Sequence, residues 1–162
     1  MFVIFRTIAY STLFVAFLLV FLPARVLSST GIVRPQTIAL PQIVGMLIVA
    51  ADALIALSCI FTFATIGEGT PAPFDPPRRL VIRGPYRYVR NPMYLGATLA
   101  LSGAAFFYRS LPLLAYAAAF LLACHLFVLI YEEPTLRRTF GTNYEAYCDR
   151  VSRWWPHAPA RP

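Results

Sequence analysis

Three stretches of this chain are apolar over the length a bilayer demands: Phe2–Leu22, Ile43–Ile66 and Met93–Tyr131. A helix needs about 20 such residues to cross the hydrocarbon layer, and the third stretch is far longer than that. Tyr108-Arg-Ser-Leu-Pro112 interrupts it, which predicts two helices in a tight antiparallel hairpin. The expected fold class is therefore an all-α integral membrane protein with about four transmembrane helices. Composition agrees. With 59% hydrophobic and 13% charged residues in 162, and a mean hydropathy of +0.64, lipid rather than one soluble core must cover most of the surface. Arg6 ahead of the first stretch also fits a signal peptide, but no small-x-small cleavage site follows Pro23, so a retained anchor is expected.

The organisation follows as one domain in four parts. Residues 1–66 hold two N-terminal spans, 67–92 a connecting strap, 93–131 the hairpin and 132–162 a C-terminal segment. The chain has 14 arginines and no lysine. Four spans put Arg6, Arg78, Arg79, Arg83, Arg87, Arg90, Arg137, Arg138, Arg150, Arg153 and Arg161 on one side, leaving only Arg25, Arg34 and Arg109 opposite. Positive charge collects on the cytoplasmic side, so a multi-pass protein with both termini cytoplasmic is expected, in the inner membrane of a cell. The arginines flank apolar spans rather than forming a stripe on a polar fold. That favours membrane lipid over nucleic acid as partner.

The strap begins Gly67-Glu-Gly-Thr-Pro-Ala-Pro-Phe-Asp-Pro-Pro77, too rich in proline for a helix. Its lone GxG reads as flexible linker before phosphate loop. The cysteines Cys59, Cys124 and Cys148 show neither CxxC nor CxxH spacing, so neither a disulfide framework nor a metal site is expected.

The run Arg83-Gly-Pro-Tyr-Arg-Tyr-Val-Arg-Asn-Pro-Met-Tyr-Leu-Gly96 is polar and aromatic, yet lies between apolar spans. Asn91 is a favoured N-cap and Pro92 a favoured first helical residue. A helix N-terminus there would turn free N–H groups toward an anion. Arg87 and Arg90 are placed either to clamp a carboxylate or phosphate or simply to anchor the membrane surface.

Glu132-Glu133, just before Pro134, would put two carboxylates at a helix C-terminus, against the macrodipole. Pairing with Arg87, Arg90 or a cationic ligand would offset that cost. Thr142 and Glu145 have capping-box spacing, predicting a short cytosolic helix over 143–152 after a left-handed Gly141. Trp154 and Trp155 fit an interfacial anchor as well as a ligand contact. Asp52 and His125 are polar residues inside spans, each either functional or satisfied by a neighbouring helix.

Gly84 to Gly96, Glu132-Glu-Pro-x-Leu136, Phe140-Gly-x-x-Tyr144 and Tyr147-x-x-x-Val-x-Arg-Trp154 occur in order. Together they resemble the isoprenylcysteine carboxyl methyltransferase family. The related phospholipid N-methyltransferases share the Asn-Pro-Met-Tyr and Glu-Glu elements.

The resemblance covers roughly residues 67–156. It implies an S-adenosylmethionine-dependent methyltransferase whose cytosolic pocket lies between the last two spans and the C-terminal helix. Its catalytic candidates are Arg90, Asn91 and Glu133. Cofactor contacts are implied at Tyr88, Arg90, Asn91, Pro92, Tyr94 and Leu95, and at Glu132, Glu133, Tyr144, Tyr147, Arg150, Arg153 and Trp154. The implied acceptor is a lipophilic small molecule: the carboxylate of an isoprenoid-like thioether, or the amine of a lipid.

Many eukaryotic members place histidine where Asn91 stands, and asparagine does not titrate near neutral pH. Two other readings compete: an NADPH-dependent membrane reductase of the sterol-reductase type, and a non-catalytic lipid-binding module.

Overall fold

The computed structural model describes residues 13–62, 65 and 80–156. Arg6, the start of the first span, the Gly67-Glu-Gly69 segment, Arg78, Arg79 and Arg161 lie outside the described residues. Every regular element described is helical: α1 (Leu13–Ser29), α2 (Leu40–Thr62), α3 (Pro92–Tyr108), α4 (Leu111–Phe140), α5 (Thr142–Arg150) and a 3₁₀ turn, Gly84–Arg87. Of the four expected spans, α2 with 23 residues and α4 with 30 are long and apolar enough to cross a bilayer. Over its described residues α1 is shorter, and α3 has 17 residues. Leu54 and Phe61 on α2 are each 70% exposed, and Ile130 on α4 is 75% exposed. Faces this apolar are unstable against water and suited to lipid.

Two expectations about helix ends are corrected. Pro23 does not stop α1, and Pro134 does not stop the last long helix. Each is preceded by a π-helical turn, Phe17–Phe21 and Val128–Glu132. Proline cannot donate to the carbonyl four residues back, and its ring collides with that carbonyl. A wider turn just ahead makes room, with Leu22 donating to Phe17 and Glu133 to Val128, five residues back. The acid pair therefore sits within a continuous helix, not against the dipole at its end.

The chain divides into two compact units. In the first (Met1–Ala50 and Leu99–Ala119), α2 and α3 approach closely through glycines. A Cβ on Gly45 would lie 2.5 Å from the Gly103 carbonyl oxygen. Gln42 donates to the Phe107 carbonyl at 3.0 Å and accepts from the Ala39 N–H at 3.1 Å. In α1, Leu22 donates to Phe17 and Pro23 has no N–H, so the Leu18 carbonyl loses its helical donor. The Tyr116 hydroxyl donates to it at 2.7 Å, as apolar surroundings require. Only Arg109 and Ser110 separate α3 from α4, consistent with the short hairpin connection.

The second unit (Ala51–Thr98 and Phe120–Pro162) carries two clusters. Cys59 of α2 packs with Val81 and Tyr86, bordered by Ile55 and Met93. Tyr144 and Tyr147 of α5 pack with Val151, bordered by Leu80, Leu136 and Phe140. Gly141 has φ +51° and closes α4 by donating to Arg137, the left-handed glycine expected there. The capping box does not form. Gly141 itself holds the N-cap position of α5, Thr142 is already helical, and no side chain caps the helix. The helix stops at Arg150 rather than 152, because Val151 is extended and Ser152 bonds elsewhere.

Candidate active site

Helix α3 starts where the sequence predicts. Asn91 accepts the first helical bond, from the Leu95 N–H at 3.2 Å, and Pro92 follows as the first helical residue, buried. Just ahead of it the backbone N–H of Arg90 donates to the Ser152 carbonyl at 2.9 Å. The Asn91 side-chain amide donates to the Arg153 carbonyl at 3.3 Å. Two bonds thus fix the extended segment after α5 to the start of α3.

That segment delivers Arg153 to Glu133. Arg153 Nε lies 2.7 Å from Oε1 and Nη2 lies 2.9 Å from Oε2, a bidentate pair. This bond holds the Arg153 guanidinium above its ordinary basicity. Arg90 approaches the same carboxylate, with Nη1 3.2 Å from Oε1, and donates from Nη1 to the Cys148 sulfur at 2.6 Å. Both oxygens of Glu133 are therefore engaged by arginine. Arg90 Nε is buried and has no hydrogen-bond partner among the described residues.

The neighbouring acid is placed differently. Glu132 accepts from the Tyr94 hydroxyl at 3.0 Å through Oε2. No other hydrogen bond to its carboxylate occurs among the described residues. One carboxylate is thus saturated by cations, and its neighbour in sequence keeps an oxygen open.

These groups share a cavity of about 70 Å³. Arg90, Asn91, Glu132 and Glu133 form its polar wall, facing Tyr86, Tyr144 and Tyr147. Leu80, Val81, Val128 and Leu136 complete it with apolar surface. Tyr147 donates to the Tyr86 carbonyl at 2.7 Å, and its ring centroid lies 6.2 Å from that of Tyr144. Burial pushes the phenols of Tyr86, Tyr144 and Tyr147 up, so all three stay neutral donors at any physiological pH.

Not every candidate from the sequence meets here. Tyr88 is exposed and carries the Arg87 guanidinium 5.2 Å above its ring centre. Arg150 is exposed on α5, and Leu95 contributes through its backbone. Trp154 turns to α4, donating from Nε1 to His125 Nδ1 at 2.9 Å, so His125 is satisfied by the C-terminal segment. Asp52 lies against Gly96, where a Cβ would collide with its carboxylate, and has no hydrogen bond or ion pair among the described residues. Sequence reasoning missed Tyr86, although it stands in the quoted Gly-Pro-Tyr motif, and the apolar residues Leu80, Val81 and Val128. A periodic apolar run gives no sign of which member faces a cavity.

Residues 40–143 match the phospholipid methyltransferase family, which is well over half of the chain. The chain belongs to the phospholipid methyltransferase family. The match to this family takes in α2, α3, α4 and the start of α5, so it includes the second span as well as the motif-bearing part. The family is one of membrane methyltransferases acting on lipid-like acceptors. Arg90, Asn91, Glu132 and Glu133 all fall within the matched residues. No curated protein and no solved structure shows a significant match.

Proposed function

We propose that this chain is a membrane-embedded methyltransferase that uses S-adenosylmethionine, held in the cavity of α3, α4 and α5, to methylate a lipophilic acceptor. The observation that carries the proposal is that Glu132, with one carboxylate oxygen open, and Arg90, whose buried Nε has no hydrogen-bond partner among the described residues, line one cavity. An amino-acid head has a cationic amine and an anionic carboxylate, and these two groups complement it. The residues thus fit the cofactor in kind. Its 70 Å³ has room for a polar head, so binding the whole cofactor requires the cavity to widen.

The cofactor supplies an activated methyl on a sulfonium. In this reading Glu132 binds the amino group, and Arg90 with the α3 N-terminus binds the carboxylate. Tyr144 and Tyr147 present aromatic faces, which attract a cation. Glu133 fixes Arg90 and Arg153, which makes it a positioning residue rather than a free base. The leading contribution is proximity and exclusion of water, since displacement at an activated methyl asks little else of a protein.

In the same proposal four spans cross an inner membrane with both termini cytoplasmic, and the acceptor enters from the bilayer. It is the amine of a lipid or the carboxylate of an isoprenoid-like thioether. The test is a calorimetric titration of the purified protein in detergent with S-adenosylmethionine, then capture of labelled methyl from a total lipid extract. The label's stability to mild base separates a methylamine from a methyl ester. Stabilisation by NADPH with no response to S-adenosylmethionine would sink the reading.

A further inference from the structure

A second cavity, of about 270 Å³, lies at the turn between α3 and α4 and takes no part in the site above. It approaches the lower end of the roughly 300–1,000 Å³ typical of small-ligand pockets. Pro41, Ala105, Phe106, Leu111 and Leu114 give it an apolar wall, and Arg109 and Ser110 complete it. Ser110 is buried, and its hydroxyl accepts from the Leu113 N–H at 3.2 Å. Arg109 is exposed, and its guanidinium has no hydrogen bond or ion pair among the described residues. No carboxylate lines the cavity among the described residues.

The backbone at this point is unusual. Arg109 has φ +51° and is the one non-glycine residue described with positive φ. Glycine adopts that conformation freely, whereas other residues pay for it. A two-residue helix connection has every backbone reason to use glycine here, so the arginine side chain needs a separate reason. Residues held in such conformations concentrate at ligand clamps and similar sites.

We propose that this cavity binds one anionic phospholipid of the surrounding bilayer, with Arg109 on the phosphate and an acyl chain against Phe106, Leu111 and Leu114. Charge decides the class of occupant. A lone guanidinium above an apolar wall without acids favours a net negative headgroup, which it can hold by paired charged hydrogen bonds. A zwitterionic lipid would bring its cationic group to a wall that offers no counter-charge. The site is independent of methyl transfer and rests only on the chain lying in a membrane.

The test uses the full-length protein, delipidated in neutral detergent and titrated with phosphatidylglycerol or phosphatidylcholine, with bound lipid counted by native mass spectrometry. Other arginines also retain anionic lipid, so the reading is the difference between wild type and Arg109→Gly. Glycine suits the backbone, so this variant should unfold at the same temperature or higher. It should lose one tightly held phosphatidylglycerol per chain, with retention at that site falling about tenfold, as expected for one charged hydrogen-bonded pair. Leu114→Trp, which fills the cavity and keeps the arginine, should lose the same lipid. Unchanged phosphatidylglycerol retention in Arg109→Gly would overturn the proposal, as would equal retention of both lipids by wild type. A change in oligomer mass without loss of lipid would also overturn it, assigning the cavity to a second copy of the chain.

Discussion

Arg153 grips Glu133 with two parallel hydrogen bonds, Nε to Oε1 at 2.7 Å and Nη2 to Oε2 at 2.9 Å, while Arg90 also reaches Oε1, at 3.2 Å. Two guanidiniums from segments far apart in sequence thus meet on one carboxylate of α4. The cluster joins the start of α3, the body of α4 and the C-terminal segment.

Glu133→Gln tests that role. It leaves two arginines facing a neutral amide, and breaking a buried ion pair typically costs about 3–5 kcal/mol. The Arg153 side chain is 28% exposed, so solvent recovers part of this. A loss of about 2–3 kcal/mol is expected, lowering the melting temperature by roughly 5–10 °C. Thermal unfolding in detergent measures it, and a variant as stable as wild type would show that the cluster does not hold the segment.

Glu132→Gln should behave in the opposite sense. A glutamine carbonyl still accepts from Tyr94, so the fold should hold to within about 1 kcal/mol. The charge facing the cavity is lost, and S-adenosylmethionine affinity should fall by roughly 10- to 100-fold, as for one charged hydrogen bond. Calorimetric titration of both variants separates the two acids. Equal loss of affinity with equal loss of stability would erase the distinction drawn between them.

Close approach of α2 and α3 gives a prediction that uses none of the residues of the Arg90–Glu133 site. A Cβ on Gly45 would stand 2.5 Å from the Gly103 oxygen and 2.7 Å from the Phe107 nitrogen, both backbone atoms that cannot swing aside. Gly45→Leu should force the helices apart and cost at least about 2 kcal/mol, within the range of overpacked cores. Helix propensity alone favours leucine by nearly 1 kcal/mol, so the sign is diagnostic. Size-exclusion profiles and melting temperature in detergent would show it; a stabilised Gly45→Leu protein would contradict the crossing.

Residue type made much of this legible in the sequence. Apolar stretches of about twenty residues point to long apolar helices, and Asn-Pro at the edge of such a stretch marks a helix start. Glu133 and the arginines Arg90 and Arg153, costly to leave alone near a bilayer, found one another. The partners were less legible. Asn91 gives its amide to Arg153, a contact set by the extended path after Val151, and Arg90 donates to Cys148 on α5. The prolines misled because the usual rule, that proline ends a helix, has an alternative in the π turn. Nothing in the local composition around Pro23 or Pro134 announces that turn.

Pro134→Ala examines that alternative where it touches the site. Alanine restores the N–H and removes the ring, so the reason for the wide turn at Val128–Glu132 disappears. Closing the turn to regular α geometry removes one residue's worth of slack, rotating the C-terminal part of α4 by about 100° relative to its N-terminal part. Glu132 and Glu133 sit at the junction, so one of them must leave its partners, Tyr94 or the two arginines. The expected outcome is a protein of unchanged helix content by circular dichroism and equal or higher melting temperature, with S-adenosylmethionine binding reduced about tenfold or more. Retained binding in Pro134→Ala would mean that tertiary contacts, and not the proline, impose the π turn.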